Sequence, residues 1–223
     1  MRRYCAEFIG TFVLVFAGTG AIVVDDISGG QIGHVGVALT FGLVVMAMIH
    51  TLGEVSGAHM NPAVTIGFWV ARRFPAGDIA PYVAAQVAGA ITASALLLVL
   101  FPEHRTLGST VPAGSLGQSM LLEIVLAFIL MFTIIHVAEG SKEQGLLAGL
   151  TIGGVVGMEA LFAGPVSGAS MNPARSIGPA LVSGNLIHLW IYIVAPLTGA
   201  VAAIFVCRWA LSPDCCVGRG EAG

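Results

Sequence analysis

The sequence predicts an all-α membrane protein with six transmembrane helices and two re-entrant half-helices, arranged as an inverted internal repeat. Three observations carry this prediction: the scarcity of charge, the length of the apolar runs and a duplicated twelve-residue motif. Of the 223 residues, 57% are hydrophobic and only 9% are charged, whereas a soluble globular domain carries about 25% charged residues. So few charges cannot cover a surface that faces water. Soluble enzymes and nucleic-acid-binding proteins are therefore excluded.

Six apolar runs are long enough to cross a bilayer, which takes about 20 residues of helix. The runs are continuous and lack the alternation of an outer-membrane barrel. Backbone exposed to lipid must satisfy its own hydrogen bonds, so each run is predicted to be a helix. The predicted spans are 4–24, 34–53, 78–101, 116–137, 144–163 and 186–211.

Two further apolar runs, 61–71 and 172–183, are too short to cross the membrane. We expect each to enter the bilayer as a half-helix and to stop there. Non-helical backbone at that depth is tolerated only where it is buried in protein or lines a cavity. The two short runs therefore point to a pore.

An internal repeat is the strongest signal in the chain. Segments 56–67 and 167–178 are identical at nine of twelve paired positions and lie 111 residues apart. Each half has three spans, an odd number, so the second copy is predicted to be inverted relative to the first, as in known channels and transporters. The prediction is one membrane domain, 1–223, with repeats at about 1–105 and 112–211 and a short cytosolic tail, 212–223.

The conserved centre of both segments is the triplet Asn-Pro-Ala. Asn is a favoured helix N-cap, and Pro suits the first helical position because its missing N–H is not needed there. Each triplet is therefore predicted to begin a half-helix, and inversion makes the two positive helix ends face each other near the bilayer centre. The triplets are Asn61, Pro62 and Ala63, and Asn172, Pro173 and Ala174.

Basic residues predict the orientation. With six spans both termini share one side, and that side also holds most of the basic residues, which the positive-inside rule places in the cytoplasm. We expect an integral protein of the cell membrane with both termini cytoplasmic. The basic residues on that side are Arg2, Arg3, Arg72, Arg73, Lys142, Arg208 and Arg219. Arg175 is the one basic residue predicted inside the membrane, where a charge indicates function.

Together these features resemble the aquaporin (major intrinsic protein) family over essentially the whole chain. The resemblance rests on the six spans, both triplets, the segment Ala-Glu-Phe-Ile-Gly-Thr-Phe at 6–12 and Arg175 directly after the second triplet. It implies a homotetramer in the lipid bilayer whose subunits each have a pore for water or small neutral solutes, closed to protons and ions. It implies no enzyme activity, no cofactor, no metal ion and no nucleic-acid partner.

The resemblance also implies an outer selectivity filter. Its residues here are Phe41 of the second span, Ala160 of the fifth, Ala169 of the loop before the second triplet, and Arg175. Water-selective members have His where this chain has Ala160. The sequence is most similar to the nodulin-26-like branch and its bacterial relatives, which pass glycerol and metalloid hydroxides such as boric or arsenous acid. A water-selective channel and, from another class, a secondary transporter with inverted repeats are the alternatives.

Several polar residues carry further expectations. In proteins of this resemblance, carboxylates at the positions of Glu7 and Glu123 accept hydrogen bonds from the segment before each half-helix; a proton relay is the alternative. His59 is expected to contribute its backbone carbonyl to the pore. Glu54 and Glu159 are interpreted as solvated charges at the mouths of the pore.

Overall fold

The computed structural model describes residues 1–137 and 142–211, with the side chains of residues 142–146 and 211 left aside; the predicted tail, 212–223, lies outside it. Six helices are long and apolar enough to span a membrane, and two are half-helices, which confirms the predicted fold class. The helices are α1 Arg2–Ser28, α2 Gly33–Ser56, α3 Pro62–Val70, α4 Ala76–Leu100, α5 Leu116–Val137, α6 Lys142–Ser167, α7 Pro173–Ser183 and α8 Ile191–Val206, which continues as a π-helical turn, Cys207–Leu211.

The start of the last span differs from the prediction. The span was expected from residue 186, but α8 begins at Ile191, and residues 187–190 form turns. The amide of Leu189 bonds to the carbonyl of Leu186 at 3.1 Å, and that of Ile191 bonds to His188 at 3.1 Å. These three-residue bonds are those of turns, and an apolar composition does not distinguish them from an α-helix.

The two halves of the chain pack in the same way and interlock. In the first half α1 packs against α2 and α4, and in the second α5 packs against α6 and α8. The half-helices are exchanged, because α3 packs against α8 and α7 packs against α4. Each half therefore completes the other, as expected for an inverted repeat.

Helices α2 and α6 cross at very short range. A Cβ added to Gly42 would lie 2.7 Å from the carbonyl oxygen of Gly153, and one added to Gly153 would lie 2.6 Å from that of Gly42. Only residues without a side chain allow two helix backbones to come this close. This crossing joins the two repeats along the pore.

The polarity of the molecule is that of a protein in lipid. Large apolar side chains such as Val99 and Ile187 are exposed on the outside, while Glu7, Glu123 and Arg175 are buried inside. Charged side chains within a membrane bundle face its interior, where protein groups or a water-filled path receive them. The interior of the bundle therefore holds the candidate site.

Candidate pore and constriction

The half-helices begin where the two triplets occur. Asn61 has an extended backbone, and its side-chain oxygen accepts a hydrogen bond from the amide of Ala63 at 2.9 Å. Asn172 accepts from Ala174 at 3.0 Å and from Arg175 at 3.3 Å. A Pro follows each cap at the first helical position. Both half-helices therefore start with a satisfied cap, as their local sequence predicts.

The same two Asn side chains join the half-helices to each other. The Asn61 amide group donates to the carbonyl of Met171 at 2.8 Å, and the Asn172 amide group donates to that of Met60 at 2.8 Å. Two helix N-termini therefore meet inside the molecule. Their partial positive charges converge on one point of the interior.

The loops that lead into both half-helices contain backbone strain. In each loop an Ala and a Met have positive φ, a conformation that costs a non-glycine residue roughly 1–3 kcal/mol. The four residues are Ala58 (47°), Met60 (49°), Ala169 (41°) and Met171 (55°). The strained positions correspond between the repeats, so both loops need the same stabilising contacts.

Glu7 supplies those contacts in the first repeat. One carboxylate oxygen accepts from the hydroxyl of Ser56 at 2.7 Å and from the amide of His59 at 2.9 Å. The other accepts from the amide of Met60 and from the side chain of Gln86, both at 2.7 Å. Hydrogen bonds to an ionised carboxylate are about twice as strong as neutral ones. Glu7 therefore holds the loop in its strained form.

Glu123 occupies the equivalent place in the second repeat. One oxygen accepts from the hydroxyl of Ser167 at 2.7 Å and from the amide of Ser170 at 2.9 Å. The other accepts from the amide of Met171 at 2.8 Å. The three donors stand 111 residues after their counterparts around Glu7. The repeat thus extends from the motif to the carboxylates that hold it.

Two cavities meet inside the bundle. One, of about 140 Å³, includes both cap residues, Asn61 and Asn172, in its lining. The other, of about 350 Å³, lies where α1 meets α2 and includes Asp25 and His34. Four side chains line both cavities, and they are the predicted filter residues Phe41, Ala160, Ala169 and Arg175. These four therefore form the constriction between the two cavities.

Arg175 is the charged member of this constriction and is only 3% exposed. One guanidinium nitrogen donates to the carbonyl of Gly108 at 2.8 Å. Its guanidinium carbon lies 5.0 Å from the ring centroid of Phe41, within range of a cation–π contact. The carbonyl and the ring thus orient the side chain across the constriction.

His59 contributes its ring as well as its backbone, which the sequence analysis did not foresee. The ring stacks on Phe68 with centroids 4.8 Å apart and also packs near Phe74 and Tyr82. Its Nδ1 lies 3.1 Å from the hydroxyl of Thr65. Because His59 lines the cavity that contains the two Asn caps, its imidazole belongs to the candidate pore.

Sequence reasoning missed the residues behind the loops. Gln86 donates to Glu7 at 2.7 Å and to the hydroxyl of Thr65 at 3.0 Å. Tyr82 donates to the carbonyl of Ser56 at 3.0 Å. An amide side chain inside an apolar span is the signal that could have identified Gln86, since a buried polar group needs partners.

The second repeat has its own supporting hydroxyls. Tyr192 donates to the carbonyl of Ser167 at 2.6 Å and stands 110 residues after its counterpart in the first repeat. Thr110 donates to the hydroxyl of Ser176 at 2.9 Å, and Ser170 lies 2.6 Å from the same hydroxyl. These bonds tie α7 to the segment between the repeats.

The interpretation of Glu159 as a solvated charge is wrong. Its side chain is fully buried, and neither carboxylate oxygen has a hydrogen-bond partner within the described part of the chain. It lines neither of the two cavities described above. Successive helix residues point about 100° apart, so the residue next to Ala160 faces away from the constriction. Glu54, in contrast, is exposed at the end of α2.

Comparisons with known proteins agree with this architecture. The model of the family "Major intrinsic protein" matches residues 1–207. Aquaporin NIP1-1 of Oryza sativa subsp. japonica is 47% identical over 203 residues, which is 91% of this chain and 72% of the relative. Putative aquaporin NIP4-1 of Arabidopsis thaliana is 45% identical over 208 residues, 92% of this chain and 73% of the relative. The X-ray structure of the aquaglyceroporin from Plasmodium falciparum superimposes with a TM-score of 0.87 at 26% identity, covering 96% of this chain and 98% of that one.

Proposed function

Because this chain belongs to the major intrinsic protein family, we propose that its two cavities form one passive pore for water and small neutral solutes, with glycerol and metalloid hydroxides such as boric or arsenous acid among them. The chain is a channel and not an enzyme. The solute range is the part of the proposal that the constriction supports.

The composition of the constriction is the observation that carries this proposal. Two of the four residues that line both cavities are Ala, so little side-chain volume projects from Ala160 and Ala169. Phe41 adds an apolar surface, and Arg175 adds hydrogen-bond donors. A pore of this kind accepts a molecule with carbon or a metalloid on one side and hydroxyls on the other, because selectivity follows pore width and lining donors.

The meeting point of the half-helices supports the exclusion of ions. A side-chain amide has two N–H donors, and Asn61 and Asn172 each use one on a carbonyl of the opposite loop. The second donor of each is left for a molecule in the cavity. Donors, converging positive helix ends and the charge of Arg175 all disfavour a cation, while a neutral hydroxyl oxygen is accepted.

We also propose that four copies assemble in the cell membrane, each with its own pore and with both termini in the cytoplasm. The basic residues near the chain ends support this orientation under the positive-inside rule. Arg3 pairs with Asp78 at 3.1 Å, and Arg208 donates to the carbonyl of Val70 at 2.7 Å, at the end of the molecule that carries the N-terminus. Labelling of Cys5, which is exposed, by an impermeant maleimide from the cytoplasmic side only tests the orientation, with Cys215 and Cys216 replaced by serine. The mass of the detergent-solubilised particle tests the assembly.

A permeability panel tests the solute range. Purified protein in liposomes is mixed with water, glycerol, urea, boric acid and arsenous acid gradients while light scattering is followed. We expect fast water flux together with glycerol or metalloid-acid flux that rises linearly with concentration. Fast water flux alone would overturn the proposal in favour of a water-selective pore, and saturable uptake coupled to an ion gradient would favour a secondary transporter.

A further inference from the structure

The ring of Phe41 rests directly on the backbone of α1 at Gly18. A Cβ added to Gly18 would lie 2.5 Å from Cζ of the ring and 2.6 Å from Cδ1, and it would also overlap Cε1. Real Cβ atoms essentially never come within 3.0 Å of another heavy atom in this way. The missing side chain at Gly18 is therefore the space that the aromatic ring occupies.

The other surroundings of the ring show where it would go if that space were filled. Phe41 lines both cavities, and the guanidinium carbon of Arg175 lies 5.0 Å from its centroid. Helix α1 itself packs against α2 and α4, so its backbone has little freedom to retreat. The open volume next to the ring is the lumen of the candidate pore.

We propose that Gly18 determines the solute specificity of the pore, although it lines neither cavity, by holding the Phe41 ring back from the lumen. This inference rests on the proposed function, since it takes the four residues shared by the two cavities as the selectivity filter. Gly18 acts through Phe41 and is a positioning residue. Its absent side chain sets how far the aromatic wall stands from Ala160, Ala169 and Arg175.

The substitution Gly18→Ala tests this role. The added methyl group pushes the ring towards the lumen, which narrows the opening for a solute wider than water. We expect glycerol permeability to fall roughly tenfold relative to water permeability, the scale on which one methylene group in a fitted apolar site discriminates. The readout is the glycerol-to-water permeability ratio in liposomes, which does not depend on the amount of protein inserted.

Gly20→Ala is the matched control. Gly20 lies two residues further along the same helix and is also buried, but a Cβ there meets only Leu97 Cδ2 at 3.4 Å, an ordinary contact. Both substitutions replace Gly by the better helix former inside α1. We expect the Gly20→Ala variant to keep the permeability ratio of the unmodified protein.

A second variant links the effect to the ring. In Gly18→Ala combined with Phe41→Leu, the shorter side chain no longer meets the new methyl group, so the ratio should return to that of Phe41→Leu alone. Contacting residues show such non-additive effects, whereas independent ones do not. If Gly18→Ala alone does not fold, recovery of folded protein in the double variant still supports competition for one space, and its failure to fold overturns the inference.

The outcomes separate this inference from the function on which it rests. A wild-type pore that excludes both glycerol and metalloid acids overturns the proposed function and this inference with it. A wild-type pore that passes glycerol, with the same ratio in Gly18→Ala as in Gly20→Ala, overturns only the role of Gly18. A lowered ratio in Gly18→Ala that Phe41→Leu does not relieve also overturns it, because the ring would not be the part that moves.

Discussion

Asn61 and Asn172 cap two facing half-helices, and each donates its side-chain amide to the loop that leads into the other. The two cross-repeat bonds, to Met171 and to Met60, are both 2.8 Å long. Each Asn thus satisfies its own helix with its oxygen and the opposite loop with its nitrogen. The centre of the molecule depends on both atoms of both side chains, which a residue with a different pair of polar atoms cannot reproduce.

The first prediction concerns ion exclusion. Asn172→Asp keeps the cap oxygen but removes the donor to Met60 and adds a negative charge where two positive helix ends meet. The lost donor leaves a buried carbonyl unpaired at a cost of about 1–3 kcal/mol. We expect a measurable sodium or proton conductance in liposomes under an applied voltage. Asn185→Asp is the control, since Asn185 bonds to Ser109 away from both cavities; equal conductance in both variants would contradict the prediction.

The second prediction concerns the buried carboxylate of the first repeat. Glu7→Gln replaces one oxygen, which accepts two hydrogen bonds, by an amide nitrogen that can only donate. Bonds to charged groups contribute about 1.5–3 kcal/mol each, so we expect a loss of about 3 kcal/mol or more. The melting temperature in detergent and the water flux should both fall.

The exposed carboxylate of Glu54 is the control for that experiment. Glu54→Gln changes the same chemical group at the surface end of α2, where a substitution shifts stability by no more than about 0.5 kcal/mol. We expect unchanged melting and unchanged permeability from mildly acidic to neutral pH. A Glu7→Gln protein that melts like the Glu54→Gln protein would show that the loop is held by other bonds.

The third prediction follows from the unpartnered side chain of Glu159. Replacing a buried polar group that lacks partners by an apolar group of similar shape removes a desolvation penalty of about 1–3 kcal/mol. Glu159→Met should therefore raise the melting temperature, by about 2–4 °C for each kcal/mol. Permeability should stay the same, because Glu159 does not line the pore. Met158→Leu, at an exposed neighbouring position, should change neither property, and a destabilised Glu159→Met would refute the prediction.

Local and repeated signals made most of the architecture predictable. Asn61 and Asn172 announce helix starts because capping depends only on the next few residues. The duplication then predicts that the two starts face each other, and the structure confirms the six spans and two half-helices. Where the signal was only apolar composition, as before Ile191, the boundary was wrong, since turns and helices in a membrane protein can share that composition.

Side-chain direction was the part that local sequence could not supply. Glu159 is one residue from Ala160, yet the helix turns its carboxylate into the packed interior. Gln86 and Thr65 join the network around Glu7 through contacts between distant helices. Neither polar group recurs in kind in the other half of the chain, so the duplication gave no sign of them, unlike the carboxylate of Glu123.

The last prediction tests the width of the constriction. Ala160→His places an imidazole among Phe41, Ala169 and Arg175, where the present side chain is a methyl group that is 8% exposed. A larger ring in the same opening excludes glycerol before it excludes water, so we expect glycerol flux to fall at least roughly tenfold and water flux to fall less. Ala160→Ser, which adds a polar atom but little volume, should keep most of the glycerol flux and so separates size from polarity. Equal losses of water and glycerol flux in Ala160→His would place this residue outside the constriction, because a residue that sets the aperture must discriminate between solutes of different width.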